Sequence, residues 1–131
     1  MKIGILLGDD IGLEVVPECV KVMKAAASRS GLTIDWRPLP IGKRGHEEHG
    51  DTLPAVTEQA LRGLDGWVCG PIGHATYPRN DPTWVMPPIR KKYELFAAIR
   101  PSLSHSNLKS IHNNVDIVFV RELTEGMLYS E

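Results

Sequence analysis

The chain has 131 residues, 15 Lys+Arg against 16 Asp+Glu, a formal charge of −1 and 42% hydrophobic residues. Its length fits one ordinary α/β domain at the usual ~100–200 residues per domain. The balanced charge, with Arg90-Lys91-Lys92 as the only basic cluster, speaks against a nucleic-acid surface, and no apolar run approaches the ~20 residues of a membrane span. The apolar part of the start, Met1-Lys2-Ile3-Gly4-Ile5, is too short for a signal peptide. Cys19 and Cys69 show no C-x-x-C spacing, which fits a reducing, cytoplasmic setting, and both are expected to be small buried residues.

Lys2 to Leu7 is apolar almost throughout and reads as a strand buried on both faces of a parallel sheet. Gly8-Asp9-Asp10-Ile11-Gly12 turns it into a helix whose stripe is Val15, Val16, Cys19, Val20, Met23, Ala26 and Ala27, with Pro17 in the first turn and Gly31 as the stop. Leu32 to Leu39 alternates as a second strand, and His46-Glu47-Glu48-His49 reads as a polar loop. Asp51 to Pro54 opens a helix with Val56, Ala60, Leu61 and Leu64 inward, and Gly66 to Gly70 is a third strand. Pro71 to Pro88 holds five prolines and is a loop long enough to suggest function. A helix is expected over Ile89 to Ala98, an irregular stretch over Pro101 to Asn114, and a last strand over Asp116 to Val120. The fold class is α/β, a mostly parallel sheet flanked by helices. A strand at the terminus with nothing after it makes the chain look cut rather than finished.

Two strand-end turns, Gly8 to Gly12 and Gly70-Pro71-Ile72-Gly73-His74, lie where α/β sheets present ligand sites. The first is not the G-x-G-x-x-G fingerprint, since Asp10 stands in its third position and would repel a pyrophosphate. His74 either faces a ligand or is a solvated loop residue. Arg90, Arg100 and Arg121 fall at element ends; each is an ordinary surface charge, or the three converge on one anion, for which guanidinium offers bidentate donors. His46 and His49 are three apart rather than the four of H-E-x-x-H, so no metal site is assigned in the chain. No G-x-S-x-G, Walker sequence or Cys/His dyad is present.

Four motifs then occur in a telling order: Lys2 to Val16, Gly70-Pro71-Ile72-Gly73, Arg90-Lys91 through Leu95 to Pro101, and Val120-Arg121-Glu122-Leu123-Thr124-Glu125-Gly126. Together they resemble the amino-terminal part of the β-decarboxylating dehydrogenases, the family of isopropylmalate, isocitrate, homoisocitrate and tartrate dehydrogenases. The resemblance implies an incomplete isopropylmalate-dehydrogenase-like fold. Residues 1–99 would begin the cofactor-side domain and residues 100–131 the second, truncated one. It implies NAD- or NADP-dependent oxidation of a malate-type 2-hydroxy acid with loss of its β-carboxylate. A Mg²⁺ or Mn²⁺ ion in the full-length enzyme would polarise the C2 oxygen and stabilise the enolate.

By the same resemblance Arg90, Arg100 and Arg121 form the substrate-carboxylate clamp, and the loop from Gly73 to Thr83, with Gly73, His74 and Thr83, lies along the cofactor. The family's proton-donating tyrosine corresponds in position to Leu128, with Tyr129 one residue later as the candidate catalytic residue. The chain also departs from the pattern at Asp10, for the usual Gly, and Leu13, for the usual Pro. The family's catalytic Lys and metal-binding Asp residues lie beyond Glu131, so the chain is expected to be inactive alone. Trp84-Val85-Met86-Pro87-Pro88 lacks the Ser and Asn pair of isocitrate enzymes, which puts 3-isopropylmalate first and tartrate or another malate analogue next. The expected partners are this small acid and a second copy of the chain, with neither nucleic acid nor membrane. The alternative from another class is a non-catalytic truncated subunit or binding module.

Overall fold

The computed structural model describes residues 1–73, 75, 77, 78, 80–84 and 87–124. The chain divides into two compact units, Met1–Pro87 and Pro88–Glu131. In the first, β1 (Lys2–Leu6), β2 (Asp35–Pro38) and β3 (Gly66–Cys69) form a parallel sheet in the order β2-β1-β3. β1 is central, with Ile3 opposite Trp36 on one side and Gly66 on the other. The chain leaves β1 for one edge and returns to the other, so the order reverses at the carboxyl ends of β1 and β3, where open α/β sheets bind ligands.

The connection from β1 to β2 is helix α1 (Gly12–Arg29). Val16, Val20 and Ala27 are buried, while Val15, Cys19 and Ala26 are exposed, so the buried stripe is narrower than the sequence suggests. Pro17 lies a turn deeper than expected, because the first i to i−4 bond runs from Val15 N–H to the Ile11 carbonyl. The bond it cannot make would have gone to the carbonyl of Leu13, an exposed residue. Gly31, at φ +66°, ends the helix in a Schellman motif, with Leu32 N–H on the Ala27 carbonyl and Gly31 N–H on that of Ser28.

Residues 42–49 correct the sequence reading: they form helix α2 (Gly42–His49), not a loop. Its buried residues are Gly42 and Gly45, and a Cβ on Gly45 would come within 2.9 Å of the Asp51 carbonyl oxygen. A helix that packs through glycines has no apolar stripe to reveal it. Helix α3 (Ala55–Leu61) buries Thr57 and Leu61, and the Thr57 hydroxyl donates to the Pro40 carbonyl at 2.6 Å. Val56, expected inward, is exposed. Both cysteines are exposed, also against expectation: Cys19 lies off the buried stripe of α1 and Cys69 at the open end of β3.

In the second unit the expected helix over 89–98 is a single turn, α4 (Ile89–Lys92). Glu94 takes a positive φ of 49°, and the chain then enters β4 (Ala97–Leu103), paired antiparallel with β5 (Asp116–Glu122). Cross-strand pairing overrides the helical spacing, and Pro101 sits inside a strand opposite Val118 instead of stopping a helix. All seven residues of β5 are exposed.

Burial separates Val56 of α3 from the core in a measurable way. Leu6→Ala, at a fully buried site, should cost about 2–5 kcal/mol in a urea titration. Val56→Ala should change stability by no more than about 0.5 kcal/mol. Similar losses for the two would contradict this core.

Candidate functional site

The turns after β1 and β3 press together at the carboxyl edge of the sheet. A Cβ on Gly70 would collide with the Leu7 carbonyl oxygen and one on Gly8 with that of Pro71, while Asp9 N–H bonds the Pro71 carbonyl at 2.8 Å. The Asp9 side chain turns inward, leaving the residue 2% exposed. Its Oδ1 accepts the Lys43 N–H at 2.8 Å; its Oδ2 accepts the Gly73 N–H at 3.0 Å and the Tyr77 hydroxyl at 2.7 Å. Lys43 is the second residue of α2, so the carboxylate caps that helix from a distance, where the helix dipole favours negative charge. Gly42, at φ +65°, has no room for a Cβ beside Asp9. Among the described residues no buried side-chain nitrogen or oxygen lacks a partner.

Burial, the bond to Asp9 and the charges of Asp9 and Asp10 push the Tyr77 phenol well above its usual range. Its ring meets Trp84 edge-on, with centroids 5.0 Å apart, and Trp84 stacks on His46 at 3.9 Å. His46 Nε2 lies 2.7 Å from Thr83 Oγ1, which lies 2.6 Å from Asp81 Oδ1. The bond from the Thr83 hydroxyl and then that from the Thr83 N–H hold the Asp81 carboxyl below its usual range, with His46 adding a favourable charge. Those bonds persist at neutral pH and are lost only as the pH falls through and below the ordinary carboxylate range. Gly73 and Tyr77 are thus fastened to the turn after β1 through Asp9, and Thr83 to α2 through His46. The sequence assigns neither anchor its role: Asp9 is one of two carboxylates in a turn, and His46 enters only as part of a rejected metal pattern in a segment that reads as a loop.

Of the sequence-based candidates, Gly73 and Thr83 lie on this loop. His74 and Tyr129 lie outside the described residues, as do Val85 and Met86 of the substrate-selecting segment and Glu125 and Gly126 of the last motif. A Cβ on Gly73 would collide with Asp10 Oδ2, so that position is closed to other residues unless Asp10 moves. The arginines belong to the second unit: Arg90 to α4, Arg100 to β4 and Arg121 to β5. Ala98 pairs with Arg121 and Arg100 with Phe119, which puts Arg100 and Arg121 on one face of the ribbon as diagonal neighbours. All three arginines are exposed and none forms an ion pair with a described residue. Arg90 is on a single helical turn, and pairing does not tie it to that face. Among the described residues no group of three or more His, Cys, Asp or Glu is placed to hold a metal ion.

Tyr77→Phe keeps a ring beside Trp84 but takes one donor from the Asp9 carboxylate, and should cost about 1–3 kcal/mol of stability. Because the fold favours the neutral phenol, the stabilisation from Tyr77 is complete below its ordinary value near ~10 and declines as the pH rises beyond it. Denaturant titrations between neutral and strongly alkaline pH should show a shallower alkaline decline for Tyr77→Phe than for the native chain. Equal slopes would remove Tyr77 from the alkaline response.

Comparison with known proteins agrees with this architecture. Residues 2–131 match the family described as isocitrate/isopropylmalate dehydrogenase. A 3-isopropylmalate dehydrogenase from Thiobacillus denitrificans is 34% identical over 142 residues, covering 100% of this chain and 40% of the relative. One from Moorella thermoacetica is 32% identical, covering 98% of this chain and 39% of the relative. The crystal structure of isocitrate dehydrogenase from Methylococcus capsulatus superposes with a TM-score of 0.78 at 30% identity, over 95% of this chain and 35% of that one. A β-decarboxylating dehydrogenase from Thermococcus kodakarensis gives a TM-score of 0.68 at 25% identity, over 95% and 34% of the two chains. The chain spans about 40% of the length of the curated relatives it matches. With its parallel sheet and helices in the same arrangement, it belongs to the isocitrate/isopropylmalate dehydrogenase family.

Proposed function

We propose that the chain is the amino-terminal part of an enzyme that oxidises and decarboxylates a malate-type 2-hydroxy acid with NAD or NADP, and that the acid is 3-isopropylmalate. The observation that carries this reading is the pair Arg100 and Arg121, exposed on one face of the ribbon with no ion-pair partner among the described residues. Two guanidinium groups held as diagonal neighbours repel each other unless an anion lies between them, and a dicarboxylic acid supplies that charge with matching bidentate geometry. Arg90, one helical turn in the same unit, is the third member of the clamp. Tyr129 is the proposed proton donor.

The cofactor, when bound, supplies the hydride acceptor. Its proposed contacts are Gly73, His74 and Thr83 on the anchored loop at the strand-order reversal. The fit is to the nicotinamide end of a dinucleotide, which carries no negative charge: Asp10 is exposed in the first turn and would oppose a pyrophosphate there, whereas Thr83, an exposed residue, offers a hydroxyl. The chain's own part is to hold the acid in one orientation through its carboxylates and to keep the loop fixed, which lowers the barrier by positioning. The described residues do not fit a Mg²⁺ or Mn²⁺ ion, so no step is assigned to one here.

Relatives named 3-isopropylmalate dehydrogenase favour that acid over isocitrate, as do the apolar Trp84, Pro87 and Pro88, which bring no ligand for a third carboxylate. In this reading residues 1–99 open the cofactor-side domain and 100–131 the second, in a cytoplasmic homodimer. The 131-residue chain alone should form no NADH from 3-isopropylmalate, isocitrate or tartrate. In the complete enzyme carrying this sequence, Arg100→Ala should lower kcat/KM for 3-isopropylmalate by about 30-fold or more, as expected when one partner of a charged hydrogen-bonded pair is lost. An unchanged kcat/KM would overturn the clamp.

A further inference from the structure

The anchored end of the loop has a hydrogen-bond polarity that follows from counting protons. Asp81 is held in its charged form and can only accept. Thr83 has a single hydroxyl hydrogen, and the 2.6 Å contact with Asp81 Oδ1 uses it. Towards His46, 2.7 Å away, Thr83 can therefore only accept, so His46 Nε2 must carry a proton and donate it. The run is one-directional, from His46 to Thr83 to Asp81. Among the described residues it leaves the hydroxyl with no hydrogen to give and one lone pair unused. Trp84, stacked on His46, keeps the imidazole in the plane this run requires.

We infer that Asp81 and His46 are positioning residues that make the hydroxyl of Thr83, an exposed residue, a hydrogen-bond acceptor only, so that this end of the loop takes a ligand group with an N–H to donate and rejects a carboxylate in its place. Asp81 sets the polarity by consuming the hydroxyl hydrogen. His46 sets the position by occupying one lone pair from α2. The inference rests on the proposed dehydrogenase reading only for the choice of ligand, since the polarity follows from the three side chains alone.

Two measurements on the 131-residue chain test it. Nitrogen-15 NMR of the neutral His46 ring should show the hydrogen on Nε2, and Asp81→Ala should weaken that preference because Thr83 is then free to donate to His46. A bare Nε2 in the native chain, or a preference unaltered by Asp81→Ala, would overturn the inference. For ligand choice the probes are NAD and nicotinic acid adenine dinucleotide, which differ by a carboxamide against a carboxylate. The native chain should bind NAD about tenfold more tightly. Asp81→Ala should reduce that ratio to about twofold or less, while Asp81→Asn, which keeps an acceptor oxygen, should restore most of it. Thr83→Val should abolish it. A purely structural role would weaken both dinucleotides in parallel and leave the ratio unchanged, which would overturn the positioning role. If the native chain binds neither dinucleotide, the cofactor reading fails for this chain, while the His46 tautomer still decides the polarity.

Discussion

A carboxylate taken out of water must find hydrogen-bond donors or destabilise the fold by several kcal/mol, and Asp9 finds three. They come from separate parts of the chain: the start of α2, the turn after β3 and the loop beyond it. No one of these segments can move without leaving the buried charge short of a partner. The constraint also explains two glycines, since Gly42 approaches Asp9, and Gly73 approaches Asp10, too closely for any side chain. The carboxyl edge of the sheet is organised around one charge, and the candidate cofactor loop takes its position from it.

Among the described residues, no buried charge of this kind organises the second unit. A two-stranded ribbon is marginal by itself, and β5 has neither face buried. Its faces nevertheless differ. One pairs Ile99 with Val120 and Pro101 with Val118; the other carries Arg100 and Arg121 beside Phe119. The first is apolar at its centre with Glu122 and Asp116 at its ends, and the second sets two arginines among Ala98, Ile117 and Phe119, a division that strand alternation produces once the register is set.

These two levels of organisation were unequally legible in the sequence. β1, α1 and β3 could be read because their burial follows apolar runs and glycine punctuation. α2 could not, because glycines form its packing face and its side chains are charged. The segment 89–98 misled because Ile89, Leu95, Ala98 and Ile99 suit a helix locally, and only the partner strand β5 makes the latter part extended. Arg100 and Arg121 stand out as residues, but their shared face depends on a pairing register that neither strand encodes alone. Asp9 and Asp10 are the sharpest case. They are adjacent and chemically identical, yet one is buried with three donors and the other is exposed, and what separates them is the meeting of segments more than thirty residues apart.

That separation bears on how charge is shared out in the proposed enzyme. The overall charge of −1 conceals a sheet edge that carries Asp9, Asp10 and Asp81 and a ribbon face that carries two arginines. A dianionic acid brought close to exposed Asp10 would meet like charge, at a cost that grows as water is excluded. On the ribbon the same acid would meet opposite charge. A ligand end that carries no negative charge and offers an N–H has the reverse preference, because carboxylates and a hydroxyl limited to accepting are its natural partners. In the proposed enzyme the ribbon face would favour the anionic substrate, and the sheet edge the end of the cofactor that carries no negative charge. The acceptor-only state of Thr83 extends that sorting to a single hydrogen bond, where charge alone would be too coarse to distinguish an amide from an acid.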